Sequence, residues 1–155
     1  MSEQPYDIYK AAGIIVQDRK VLATRSKGKT FYIQPGGKLE DDETETQALV
    51  RELREEMGIE VNETDLEKIG DYYADAAGQT NKKLKLAAYL VLNFSGVPEP
   101  QSEVEEIRAF SSQVPEGIEL ASILEHDIIP ELKTRDMIDW KAPNLLSGNQ
   151  NLALL

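Results

Sequence analysis

A thirteen-residue helix signal, Glu45 to Met57, constrains this chain more than any other feature. Thr44 followed three residues later by Gln47 is a capping box, in which each residue satisfies a backbone N–H of the other and so starts a helix at Glu45. Leu49, Leu53 and Met57 recur every fourth residue beside Val50, which gives one apolar stripe for a core. Gly58 supplies the residue that tolerates a left-handed terminal turn. A helix over 45–57 with one buried face is therefore predicted.

On that helix Glu52, Glu55 and Glu56 occupy i, i+3 and i+4, which are neighbouring surface positions. Like charges at this spacing oppose the helix by a few tenths of a kcal/mol per pair, roughly. A solvated face tolerates such a cluster, and a divalent cation between the carboxylates turns it favourable. Just upstream, Pro35-Gly36-Gly37 ends the apolar run Phe31-Tyr32-Ile33 in a tight turn, where a main-chain carbonyl has room to approach a metal.

From Gly37 the chain reads five residues, Glu43, seven residues, Arg51-Glu52-Leu53, one residue, Glu55-Glu56, one residue, Gly58-Ile59. At ordinary residue usage a chance match to all nine defined positions is on the order of one in a billion per start. This stretch resembles the signature box of the Nudix hydrolases, the family of the antimutator MutT. The resemblance implies an α/β/α sandwich with a mixed β-sheet between helices. It implies that Glu52, Glu55 and Glu56, with the carbonyl of Gly36, bind Mg²⁺ or Mn²⁺, and that Arg51 pairs with Glu43 to orient them. It further implies hydrolysis of the pyrophosphate link of a nucleoside diphosphate joined to another group, with Glu56 taking the proton from water. Glu103, in the acidic loop before Ala109 and Phe110, matches a further family glutamate, and Glu106 is the second candidate. Relatives commonly carry tryptophan at the position of Ala109.

Subfamily marks are missing. The positions where ADP-ribose hydrolases place proline hold Ala74 and Asp75, and those where dinucleoside polyphosphate hydrolases place tyrosine hold Ala76 and Ala77. Arg25-Ser26-Lys27-Gly28 does not reproduce the coenzyme A motif. A nucleoside triphosphate, intact or damaged, is the expected substrate. ADP-ribose or a nucleotide sugar is the alternative, and a non-catalytic nucleotide sensor the reading from a different class.

With 155 residues the chain has the size of one domain, expected over 1–140, followed by a flexible tail over 141–155 that ends in Leu152-Ala153-Leu154-Leu155. The absence of cysteine excludes disulfides, thiol nucleophiles and zinc–thiolate sites. No apolar run approaches a membrane span and no export signal is visible, so a cytoplasmic protein is expected. A net charge of -11 argues against general affinity for nucleic acid or acidic membranes. The charge is segregated: residues 19–38 hold six basic residues and no acidic one, whereas 39–67 hold twelve acidic residues against Arg51 and Arg54. Arg25, Lys27 and Lys38 are the candidate phosphate contacts, and a homodimer is expected on resemblance alone.

Strands are predicted near 7–16, 20–25, 31–33, 66–74, 84–94 and 106–110, and a second helix near 119–134 that breaks or bends at Pro130. His126, the lone histidine, reads as structural, and Trp140 as a core cap or dimer contact. Of Tyr72 and Tyr73 only one can face a nucleoside pocket, and Phe31 and Tyr32 pose the same choice.

Overall fold

A computed structural model describes residues 4–76, 79 and 81–142. Among these residues nine strands form: β1 (Ile8–Ile14), β2 (Val16–Gln17), β3 (Lys20–Ser26), β4 (Phe31–Tyr32), β5 (Gly36–Lys38), β6 (Leu66–Asp75), β7 (Lys83–Val91), β8 (Val104–Phe110) and β9 (Glu119–Leu120). Helix α1 spans Glu45–Met57 and α2 spans Ile129–Thr134, preceded by a π-helical stretch, Leu124–Ile128.

The central sheet has the order β5-β1-β7-β6. Strands β1 and β7 run parallel, and each is flanked by an antiparallel neighbour, β5 and β6, so the sheet is mixed. The period-2 alternation of strand side chains gives the sheet two buried faces. Ala11 of β1 and Ala87 and Tyr89 of β7 face α1, where they meet Leu49, Leu53 and Met57. Ala12, Ile14, Leu86, Ala88 and Leu90 face the other way, onto Leu124, Ile128 and Leu132 of the second helical segment. The small residues Ala11, Ala12, Ala87 and Ala88 at the centre let both helical layers close on the sheet. The result is an α/β/α sandwich. Strands β2, β3 and β8 form a separate antiparallel sheet, and β4 pairs with β9 in parallel.

Helix α1 begins and ends where the local chemistry dictates. The Gln47 N–H donates to Thr44 Oγ1 and the Thr44 N–H donates to Gln47 Oε1. Gly58 closes the helix at φ 70°, its N–H donating to the Arg54 carbonyl. The N-terminal turn is pinned to the sheet by Glu45, whose carboxylate accepts from the hydroxyls of Tyr9 and Tyr89 and from Lys68 Nζ. An anion in the first helical turn is also favoured by the helix dipole.

Three expectations are corrected. Residues 119–120 are a strand on Phe31–Tyr32 rather than the start of a helix. Pro130 does not break the second helix: the preceding π turn, with the Ile129 N–H on the Leu124 carbonyl, passes directly into α2 and puts the proline in its first turn. Trp140 does not cap the core, being 83% exposed. His126 lies on the exposed side of its helix, 3.6 Å from Glu125. The tail beyond 142 lies outside the described residues, and none of the described helices is long and apolar enough to cross a membrane.

Candidate active site

The Pro-Gly-Gly turn continues directly into β5, which pairs with β1 so that Ala12 faces Gly36 and Lys10 faces Lys38. Gly36 has a φ of 144°, and a Cβ there would run into the Ala11 carbonyl oxygen, so no other residue fits without moving β1. A Cβ on Gly37 would occupy the space of the Glu52 carboxylate. The two glycines therefore let loop, strand and acidic helix face close on one another.

Two electrostatic conditions meet on that face. Arg51 is clasped by Glu43, with Nε on Oε2 at 2.7 Å and Nη2 on Oε1 at 2.8 Å, and it also donates to the Lys38 carbonyl. The Arg51 fork and the Glu40 N–H hold the Glu43 carboxyl at a pKa of about 2. Arg51 also reaches Glu52 at 2.9 Å and Glu55 at 3.5 Å. Glu56 is different. Burial raises its pKa to about 8, and the charges of Glu52 and Glu103 push the same way, against the Gly36 N–H donated to Oε1 at 3.1 Å and nearby Lys10. Burial likewise raises Glu52, against its bonds with Arg51.

Glu103 reaches this neighbourhood because its loop docks on the end of α1. The last carbonyls of a helix have no partner within it. Here the Gln101 N–H donates to the Glu56 carbonyl and the Glu99 N–H to the Met57 carbonyl. The Glu103 carbonyl in turn accepts from the Lys27 N–H at 2.9 Å. Glu106 is engaged elsewhere, accepting from Tyr32 Oη at 2.7 Å and pairing with Arg25. Arg25 also pairs with Glu105 and donates to the Lys29 carbonyl.

A cleft of about 200 Å³ opens beside the turn and is walled by Gly36, Gly37, Glu56, Lys10, Phe31 and Gln34, among others. Its lysines are Lys10 and Lys29; Arg25, Lys27 and Lys38 are not part of its wall. Phe31 lines the cleft while Tyr32 turns into the core against Phe110, and neither Tyr72 nor Tyr73 contributes to it. Sequence reasoning missed Lys10. Burial and adjacent Lys38 pull its pKa below the usual lysine range, with Glu56 and Glu52 opposing. The one available signal was a lysine interrupting an otherwise apolar strand.

Among the described residues no three acidic, histidine or cysteine side chains converge closely enough to hold a metal. Arg51 draws Glu52 and Glu55 to itself, while Glu56 holds the Gly36 N–H. The donors are nevertheless of the right kind: hard carboxylate oxygens next to a two-glycine turn, one of them destabilised as an anion by burial.

The family model of the NUDIX domain matches residues 8–126. The CTP pyrophosphohydrolase of Escherichia coli (strain K12) is 37% identical over 90 residues, which cover 55% of this chain and 62% of that protein. The 8-oxo-dGTP diphosphatase of Proteus vulgaris is 61% identical over 36 residues, 23% of this chain and 32% of that protein. The chain thus spans less than two thirds of the length of these curated relatives. Of solved structures, the solution structure of the E. coli ORF135 protein superposes with a TM-score of 0.61 at 30% identity, covering 83% of this chain and 88% of that one. The crystal structure of a MutT NUDIX hydrolase from Burkholderia pseudomallei shares the fold, with a TM-score of 0.61 at 24% identity over 75% of this chain and 91% of that one. Divalent metals generally serve Nudix hydrolases. With its glutamate helix and two-glycine turn inside the matched span, the chain belongs to the Nudix family.

Proposed function

We propose that this protein hydrolyses the pyrophosphate linkage of a nucleoside triphosphate with the help of Mg²⁺ or Mn²⁺. The observation that carries the reading is the placement of Glu52 and Glu56 against Gly36-Gly37, with Glu56 on the wall of a cleft that also holds Lys10. The names of the relatives, a CTP pyrophosphohydrolase and 8-oxo-dGTP diphosphatases, favour a triphosphate over the alternatives.

Glu52, Glu55 and Glu56, with the Gly36 carbonyl, are the groups that would hold the cation. A cation held by these residues would supply positive charge for the phosphate oxygens and the leaving group. Arg51 holds Glu52 and Glu55 on the correct side of α1, and Glu43 holds Arg51. Lys10 offers a positive charge to the polyphosphate from the cleft wall. Glu56 is the group that accepts the proton of the attacking water at its carboxylate, whose proton affinity burial raises in the metal-free protein. Glu103 is the second candidate for this role.

The test is a phosphate-release screen with Mg²⁺ or Mn²⁺ over the eight common nucleoside triphosphates, 8-oxo-dGTP, ADP-ribose and nucleotide sugars, with Glu56→Gln as control. Turnover of a triphosphate that disappears in the control is the expected result. Turnover confined to ADP-ribose or a nucleotide sugar would overturn the substrate class, and no turnover at all would overturn the hydrolase reading.

A further inference from the structure

Gln34, the residue before Pro35-Gly36-Gly37, is 5% exposed, and its Oε1 is the single buried side-chain polar atom without a hydrogen-bond partner among the described residues. Thr24, the other buried polar residue described, donates its hydroxyl to the Ile33 carbonyl at 3.4 Å. An amide oxygen buried without a partner is a standing cost that leucine or methionine at the same place would not incur. Such an orphan is explained when a ligand supplies the missing partner.

The surroundings of Gln34 indicate what that partner is. The residue lines the same cleft as Glu56, Gly36 and Gly37, whose apolar wall is made by Phe31, Ile33 and Leu86. Apolar surface beside an amide suits a flat heteroaromatic ring, while Lys10, Lys29, Thr24, Ser26 and a second amide, Gln79, leave the polar side of the cleft to the sugar and phosphates. A carboxamide presents an acceptor oxygen beside a donor N–H₂, which complements a base edge that places an amino group beside a ring acceptor.

We infer that Gln34 reads the base of the substrate, its carboxamide turning from its buried position toward the cleft so that Oε1 accepts a hydrogen bond from an exocyclic amino group, as cytosine presents in its smallest form. The inference rests on the triphosphate reading, because that reading places the polyphosphate at the glutamates and leaves the rest of the cleft to the base. Gln34 also borders a void of about 10 Å³ next to Leu84 and Ile123, too small for anything beyond a single water. The competing explanation is therefore a purely structural amide hydrated from that side.

The experiment compares 5′-CMP with 5′-UMP, which match in size and differ at the amino edge. Their dissociation constants are measured by calorimetry in the presence of Mg²⁺ for the native protein, Gln34→Met and Gln34→Leu, together with the melting temperature of each free protein. Both variants remove the amide while keeping an apolar side chain in its place. The native protein is expected to bind CMP at least about tenfold more tightly than UMP, since a site built around a polar pairing rejects the analogue that lacks it. In the variants that ratio falls to near one through lost CMP affinity, and the melting temperature holds or rises because the orphan is gone. A native protein without preference, or a ratio that survives in folded variants, overturns the inference. So does a melting temperature that falls in both variants with the ratio unchanged, the result of a structural amide. Base-selective binding without turnover of any triphosphate would defeat the hydrolase reading and keep this one, whereas turnover without base preference would do the reverse.

Discussion

The Glu43–Arg51 clasp, which ties the loop before α1 to the helix, and the Glu56 carboxylate, five positions beyond Arg51 on α1, are opposite in electrostatic character. In the clasp every charge is met: the guanidinium grips both Glu43 oxygens and a main-chain carbonyl, and each partner's pKa moves toward its charged form. Glu56 is drawn into the protein beside other anions, with one backbone N–H and nearby Lys10 too weak to offset its burial, and its pKa moves toward the neutral form. The first is a finished joint that holds loop to helix. The second is left electrically incomplete, which fits the cation and substrate proposed for it.

The contrast breaks most sharply by removing the incomplete side. Glu56→Gln keeps size and shape, and kcat is expected to fall about 10²–10⁴-fold, read by phosphate release, while circular dichroism stays native. Cutting the finished side should hurt less. Arg51→Ala frees Glu52 and Glu55 from their orienting partner, and kcat/KM is expected to fall about 10–100-fold, the scale found when groups that orient ligands are lost. Arg51→Lys should recover little of that, because an ammonium cannot replace the two-pronged grip on Glu43.

Acid and base should separate the two regions by sign. A carboxylate whose folded pKa is raised favours the folded state most when protonated. The contribution of Glu56 is therefore full below its ordinary value of 4.5 and is lost as pH rises through about 8. Metal-free protein should melt several degrees lower at pH 8.5 than at pH 5.5 on this account, and Glu56→Gln should flatten that slope. Glu43 works in the other direction. Its contribution is full above 4.5 and is lost as pH falls toward about 2, so Glu43→Gln should narrow the acid limb of the melting curve, the smallest of these effects.

What the sequence made legible follows where local signals agree. For α1 the capping box, the four-residue apolar spacing and Gly58 all point to one helix, and the structure has it over Glu45–Met57. Arg51 and the three glutamates lie on that helix and Glu43 in the loop just before it, so spacing alone was enough to group them. Lys10, Gln34 and Phe31 reach the cleft from strands and a turn ahead of the box, brought together by the pairing of β1 with β5 and the bridge between Thr24 and Ile33, which leave no local trace. The short strand β9 was invisible for the same reason, since two residues pairing in parallel with Phe31–Tyr32 have no period to detect. Glu103 owes its place to backbone bonds onto the end of α1, which Gln101 and Glu99 donate through main-chain groups common to most residue types.

The most direct test of the central claim, that the glutamate face of α1 is an unfinished cation site, is a titration with Mn²⁺ followed by the electron paramagnetic signal of the free ion. The native protein should remove Mn²⁺ from solution saturably, and the Glu52→Gln/Glu56→Gln protein should not, while Arg51→Ala should bind with about 10–100-fold weaker affinity. Equal binding by the native and doubly substituted proteins, or none by either, would contradict the account.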